Sequence, residues 1–277
     1  MKLLEAVSLN KRYGMERRWF TPGVRGVQAV NNLSFSLESG ETLGLVGESG
    51  CGKSTLARLL LGLEKPSSGR VLYRSEDYTD WSFSKMRTIR NRMQMVFQNS
   101  LASFNPLFTV EQIIGEPLRN YGERKAQTLR VMVEDTLERV GLERQHIHRY
   151  PHELSGGQQQ RVGIARAIAL RPELIICDEP FSSLDVTLRK QMMDLLQELK
   201  RELGLSYIFI THDLSVVNRF CDSVAVMYQG GIVERQTGEH IMQHADHPHT
   251  RRLLSAVPVQ DPRLRGHRIS REKEYRE

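Results

Sequence analysis

Apolar and polar positions along this chain follow two periods, and the switches between them mark its elements. Residues 3–9 alternate loosely and predict a strand. Residues 15–26 lose the pattern, are rich in Arg and Gly, carry Trp19 and Phe20, and predict a loop. Residues 28–37 alternate apolar with polar, as a strand with one wet face does. After the turn at residues 38–41 comes a short apolar run, Thr42-Leu43-Gly44-Leu45-Val46, and then a helix-like run over residues 56–61. Residues 65–69 predict another turn and residues 70–73 the start of a strand. Residues 93–97 predict an apolar strand, residues 99–108 a turn-rich passage, and residues 110–141 a helical region with many surface charges. Residues 151–161 introduce a helix predicted over 162–170. Residues 174–177 and 207–210 are wholly apolar strands, the first ending in the carboxylates of Asp178 and Glu179, separated by a helix from about 187 to 203. Residues 224–227 and 231–234 predict a closing hairpin around Gln229-Gly230. Uniformly apolar strands are buried on both faces, as in a parallel sheet. Strands alternating with helices give an α/β fold class. No internal repeat is visible.

In such a sheet, ligands sit beyond the carboxyl ends of the strands. Gly47, Gln98, Asp178 and His212 all fall just past predicted strand ends, which points to one shared site. The stretch Gly47-Glu48-Ser49-Gly50-Cys51-Gly52-Lys53-Ser54-Thr55 fills G-x-x-x-x-G-K-[ST] between strand and helix. Backbone without Cβ lets several N–H groups turn toward phosphate oxygens, and the following helix adds its positive N-terminal dipole. Lys53 is placed to neutralise the β- and γ-phosphates, and the Ser54 hydroxyl to sit on Mg²⁺. Asp178 is placed to hold the same ion through its water shell, and Glu179 to orient the attacking water or accept its proton.

Bulk numbers narrow the classes. The chain has 277 residues, 39% hydrophobic and 26% charged, ordinary for a globular protein of one large domain or of one domain plus an extension. Net charge is +6, and half of it lies in the last fifteen residues, where six Lys/Arg face three Glu. A solvated basic tail accounts for that excess without nucleic acid. Three cysteines make no disulfide framework and suit a reducing compartment. No apolar run approaches the roughly 20 residues of a membrane span. The charged start, Met1-Lys2-Leu3-Leu4-Glu5, does not suit a signal peptide, so another chain is expected to do any spanning. Cys51 sits near a helix N-terminus and Lys53, which favours thiolate and predicts sensitivity to alkylation. His240 and His244 share one helical face, and with His247 and His249 they invite a metal reading; surface histidines broken by Pro248 are the simpler account.

The run Leu154-Ser155-Gly156-Gly157-Gln158 resembles the signature of ABC-type ATPases. The order phosphate loop, Gln98, signature, Asp178-Glu179, Ser183-Leu184-Asp185, His212 follows that family across about residues 1–235. Ser103-Phe104-Asn105-Pro106 resembles the S-L-N-P passage of peptide and nickel importer subunits. The stretch from His247 through Leu253-Leu254 to Pro258 resembles their C-terminal hallmark, with His249 where Tyr is usual. The resemblance implies a P-loop NTPase (RecA-like) core with an N-terminal antiparallel β subdomain, a helical subdomain inserted at about 99–160, and a C-terminal extension over 236–277. It implies that Tyr13 stacks on adenine beside Val30, that residues 50–55 wrap the phosphates, and that Gln98 senses Mg²⁺ and the γ-phosphate and, with the surface from Gln98 to Tyr121, couples to the membrane subunit. It further implies that Ser155, Gly156, Gly157 and Gln158 meet the nucleotide of a partner subunit, that Asp185 communicates across that pairing, and that His212 contacts the γ-phosphate. ATP and Mg²⁺ are the implied cofactors.

The implied partners are a second ATPase, self or paralogue, two permeases and, indirectly, an extracytoplasmic solute-binding protein, with this chain on the cytoplasmic face of the membrane. Peptide is the implied solute, with nickel or another metal complex as the alternative. A soluble relative acting in translation or repair fits less well: there is one cassette and no sustained heptad pattern. A fused exporter fits less well still. No cysteine follows Cys221, so an iron–sulfur cluster in the extension is not expected. Ser183 stands where Ala is common, an expected tolerance.

Overall fold

The computed structural model describes residues 1–14, 26–97, 101–123, 125–182 and 184–256. The first half runs β1 (Lys2–Tyr13), β2 (Val27–Glu38), β3 (Thr42–Val46), α1 (Lys53–Leu60), β4 (Ser68–Tyr73), β5 (Glu76–Asp77), α2 (Phe83–Arg90) and β6 (Met93–Val96). Then come α3 (Val110–Asn120), α4 (Ala126–Arg139), α5 (Gly156–Ile168), β7 (Leu174–Asp178), α6 (Val186–Leu203) and β8 (Ser206–Thr211). The chain closes with α7 (Leu214–Phe220), β9 (Ser223–Tyr228), β10 (Gly231–Gln236), α8 (Gly238–His244) and α9 (Pro248–Ala256).

Among the described residues the strands form two sheets. One has the order β2-β1-β4-β5 and is antiparallel. The other has the order β10-β9-β3-β8-β7-β6, parallel except for β10. Side chains along a strand point alternately to its two faces, and here both faces are apolar. Leu174, Ile176, Ile208 and Ile210 join one core, while Ile175, Cys177, Tyr207 and Phe209 join another. The first core is filled by α1 and the antiparallel sheet, the second by α3, α4, α5 and α6. The inserted helices therefore share a core with the parallel sheet. Helix α7 crosses so close to β3 that a Cβ on Gly44 would lie 2.2 Å from Val217 Cγ1.

Three expectations need correction. The helix expected over 162–170 begins six residues earlier, at Gly156, capped by Ser155. The helical region over 110–141 is two helices, broken where Gly122 takes a φ of +119°. The first strand runs on to Tyr13, because pairing with β2 continues through the polar Lys11 and Arg12 to Tyr13 opposite Val27. The expected loop over 15–26 lies, but for Gly26, outside the described residues, as do Gln98, Ser183 and the basic tail.

A candidate nucleotide site at the ends of the parallel strands

The phosphate loop leaves β3 and turns sharply back on itself, with the Cys51 N–H donating to the Glu48 carbonyl at 3.3 Å. Gly52 caps α1 at a φ of +108°, where a Cβ would lie 2.0 Å from the Ala29 carbonyl oxygen; only glycine fits there. Gly47 is pressed against the end of β9, with a would-be Cβ 2.5 Å from the Met227 carbonyl oxygen. The Gly230 N–H holds the loop from outside by donating to the Cys51 carbonyl at 3.1 Å. Gly50 has open space around its missing side chain. The Lys53 side chain is 6% exposed, and its ammonium donates to the carbonyls of Gly47 at 2.8 Å and Glu48 at 2.9 Å, with Cys51 Sγ 3.8 Å away. A buried cation inside a ring of backbone is the preorganised half of an anion site.

The strand-end acids lie beside this loop. Burial pushes the Asp178 carboxyl above its ordinary value, opposed by a hydrogen bond from Ser54 and by the charge of Lys53. A partly buried carboxylate bonded to a hydroxyl is a hard oxygen donor pair, the chemistry that suits Mg²⁺. Glu179 takes a φ of +46°, a left-handed backbone that a side chain rarely adopts. Its N–H donates to the Ile210 carbonyl at 2.9 Å, tying β7 to β8, and its Oε1 lies 3.3 Å from Nδ1 of the exposed His212. Such strained positions cluster at functional sites. Thus Lys53, Ser54, Asp178, Glu179 and His212 share one strand edge.

Tyr13 stands at the far end of β1, over a third exposed. Its hydroxyl donates to Glu64 Oε2 at 2.6 Å, and the Lys11 ammonium lies 5.1 Å from its ring centre. The Glu64 carboxyl is held below its ordinary value, chiefly by that Tyr13 bond. Val30 is wholly buried beside β1, opposite Lys11, so its side chain offers no surface to a ligand.

The signature forms a second group. Ser155 and Gln158 cap the start of α5 reciprocally, and nothing lies within 4 Å of a would-be Cβ on Gly156. A Cβ on Gly157 would lie 3.3 Å from Leu188, in the first turn of α6. That turn is capped by Asp185, whose Oδ1 accepts from the Leu188 N–H at 2.9 Å. Arg189 bridges the two groups: it pairs with Asp213, the neighbour of His212, at 2.9 Å and reaches the Leu184 carbonyl at 3.5 Å. His240 and His244 lie on one face of α8 with ring centres 5.5 Å apart, while His247 and His249 belong to the start of α9.

Pattern reading missed Glu64, His146, Arg166 and Arg189. Each acts through a long side chain reaching another element, which periodicity does not register. The signal that could have found the start of α5 is the S-x-x-Q spacing of Ser155 and Gln158.

A glycine-bound phosphate loop, a buried lysine and strand-end carboxylates on a parallel sheet define a P-loop nucleoside triphosphatase. More closely, this chain belongs to the ABC transporter family, whose model matches residues 30–182, and it is an ATPase. It is 47% identical over 265 residues to the oligopeptide transport ATP-binding protein OppF of Salmonella typhimurium, covering 95% of this chain and 79% of that protein. It is 45% identical over 267 residues to the dipeptide transport ATP-binding protein DppF of Escherichia coli, covering 96% and 80%. Among solved structures it is similar to the ATP-binding cassette MJ0796, a dimer bound to ADP and Pi, with a TM-score of 0.75, 29% identity, and 85% and 98% of the two chains covered. It is also similar to cbiO1 of Clostridium perfringens, part of the transporter complex cbiONQ, with a TM-score of 0.76, 28% identity, and 99% of each chain covered. Among the described residues no helix is long and apolar enough to cross a membrane.

Proposed function

We propose that this chain hydrolyses ATP to drive a peptide importer, with dipeptides or oligopeptides as the solute. Two such cassettes, identical or paralogous, pair head to tail over two nucleotides, and the pair sits beneath two permeases on the cytoplasmic face of the membrane. An extracytoplasmic binding protein selects the solute. The observation that carries the pairing is the open N-terminus of α5. Gly156 faces free space, and a hydroxyl, two bare backbones and a helix dipole make an anion site there. Lys53, by contrast, is enclosed by its own loop. Peptide as the solute rests on the names of the relatives and on the hallmark from His247 to Pro258, whose last two residues lie outside the described ones.

In this reading the loop amides and Lys53 cradle the phosphates, and Tyr13 stacks on the base. Ser54 and Asp178 would hold Mg²⁺, with Gln98, which lies outside the described residues, as a third contact. Magnesium, when bound, supplies neutralising charge to the β- and γ-phosphates. Glu179 orients a water in line with the γ-phosphate and takes its proton, while His212, beside Glu179, meets the γ-phosphate oxygens. The water oxygen forms the new bond to phosphorus, and ADP leaves with the electrons of the broken bond.

The test is recovery of the full chain carrying Glu179→Gln from detergent-solubilised native membranes in the presence of ATP. Two permeases and an ATPase partner are the expected company, and the co-purifying binding protein is then screened against peptides and nickel. Recovery of ribosomes or DNA without membrane subunits overturns the transport reading and leaves the ATPase site standing.

A further inference from the structure

The start of α5 is held by a residue twelve positions upstream. Within the cap, the Ser155 N–H donates to Gln158 Oε1 at 2.9 Å, and the Gln158 N–H donates to Ser155 Oγ at 3.3 Å. With its side-chain oxygen committed, the Gln158 amide can offer only N–H to its other neighbour, His146 Nε2, 3.1 Å away. An N–H needs a lone pair, so Nε2 is unprotonated and the ring proton belongs on Nδ1. Nδ1 lies 3.0 Å from the Glu143 carbonyl, which can only accept. Both ends of the ring thus demand the same state: neutral, with the proton on Nδ1. The residue is 6% exposed, in a 3-10 turn (Arg144–His148) packed against α3 and α4. The next residue, Gln159, is pinned separately, with its amide donating to the carbonyls of Pro151 at 2.9 Å and Leu154 at 3.1 Å.

We infer that His146 is a positioning residue for the signature. It fixes the rotation of the Gln158 amide, and through that amide it holds Ser155 to Gly157 in the shape that meets the partner's nucleotide. The inference rests on the signature reading proposed above. Without an acceptor at this place the amide is left with an unpartnered, partly buried N–H and swings away from Ser155, loosening the first turn of α5. The phosphate loop lies on other elements and keeps its own bonds to Lys53, so the two nucleotide contacts separate experimentally.

The experiment uses the full chain in its membrane complex for ATP turnover, and the isolated full chain for nucleotide binding and melting. His146→Leu is expected to lower turnover about tenfold, the scale of one lost hydrogen bond, with ATP affinity of the isolated chain kept within about twofold. His146→Gln, which restores an acceptor, is expected to recover most of the loss. Combining His146→Leu with Gln158→Leu is expected to be no worse than Gln158→Leu alone, as for two residues acting in series. Nitrogen-15 spectra are expected to show the Nδ1–H tautomer at His146, lost in the Gln158→Leu chain. Unchanged turnover in His146→Leu, additive losses in the pair, or an Nε2–H tautomer in the unmodified chain overturns the inference. The spectra decide it even where His146→Leu fails to fold. Ser155→Arg serves as the control: if it leaves turnover intact, the signature reading itself fails, independently of His146.

Discussion

The guanidinium of Arg166, in α5, grips Ser103 at two points, its carbonyl oxygen at 3.0 Å and its hydroxyl at 2.9 Å. Phe104 lies under the same group, its ring centre 5.1 Å away. The helix that begins with the signature is therefore clamped to the Ser103-Phe104-Asn105-Pro106 passage, beside which Leu101 and Leu107 stand exposed. Arg166→Met keeps the length of the side chain and removes the clamp. The expected result is a loss of about 1.5–3 kcal/mol, the range for a hydrogen bond to a charged group, read by denaturant titration. In the transport reading proposed above, where the surface around this passage meets the permeases, ATP turnover is expected to lose its response to them, measured with and without permeases.

Glu179 separates stability from activity. Its backbone sits at a φ of +46°, a region that costs a side chain about 1–3 kcal/mol and costs glycine little. Glu179→Gly is expected to melt higher than the unmodified chain while losing turnover. Glu179→Gln is expected to lose turnover by about 10²–10⁴, the usual worth of a general base, without the gain in stability. A lower melting temperature for the glycine variant would argue that the side chain's contacts outweigh the strain.

Asp178 gives a pH dependence with a definite sign. Burial raises its carboxyl above the ordinary 3.8, so the folded chain holds that proton more tightly than the unfolded chain does. Its contribution to stability therefore falls as pH rises from 3.8 through the raised value, and stays low above it. Asp178→Asn is expected to stabilise the nucleotide-free chain at pH 7, with an advantage that shrinks as pH is lowered toward the ordinary carboxylate range. The same substitution is expected to weaken binding of Mg²⁺–ATP relative to ATP alone. Paired melting curves across pH, with and without Mg²⁺–ATP, check both.

Cys51 is partly exposed, and its sulfur lies 3.8 Å from the Lys53 ammonium. Cys177 is buried and Cys221, like Cys51, is partly exposed; desolvation pushes both of their thiols far above the ordinary value, so both are expected to react more slowly than Cys51. One equivalent of maleimide is expected to label Cys51 alone, to block ATP binding, and to be excluded by ATP. Stoichiometric labelling of Cys51 with full turnover would sink this expectation, and mass spectrometry of the labelled peptide locates the adduct.

Much of the parallel sheet was legible because burial on both faces leaves no choice of residue. Residues 174–177 and 207–210 are apolar throughout, and the two strands pair with each other in the sheet. The phosphate loop was legible because its glycines answer a backbone demand, as Gly52 shows against Ala29. The start of α5 was misplaced because Gly156, Gly157 and three glutamines carry no apolar stripe; the cap, not the period, begins that helix. Helix α2 escaped for the same reason, being short and capped by Ser82 with only Met86 and Ile89 buried. Val30 illustrates another gap. Its place on β2 was read correctly as a strand, but only packing reveals that its side chain is consumed by the core.

Helix α1 sits between both sheets, and this bears on how the protein comes apart. Leu56, Ala57, Leu59 and Leu60 share one apolar cluster with Leu4 and Leu33 of the antiparallel sheet and with Leu174 and Ile208 of the parallel one. Neither sheet can detach without stripping the helix that follows the phosphate loop. Calorimetry should thus record a single cooperative transition for the two sheets. ATP, which in the reading above meets the parallel sheet through its phosphates and the antiparallel sheet only through Tyr13, should move the melting of both together.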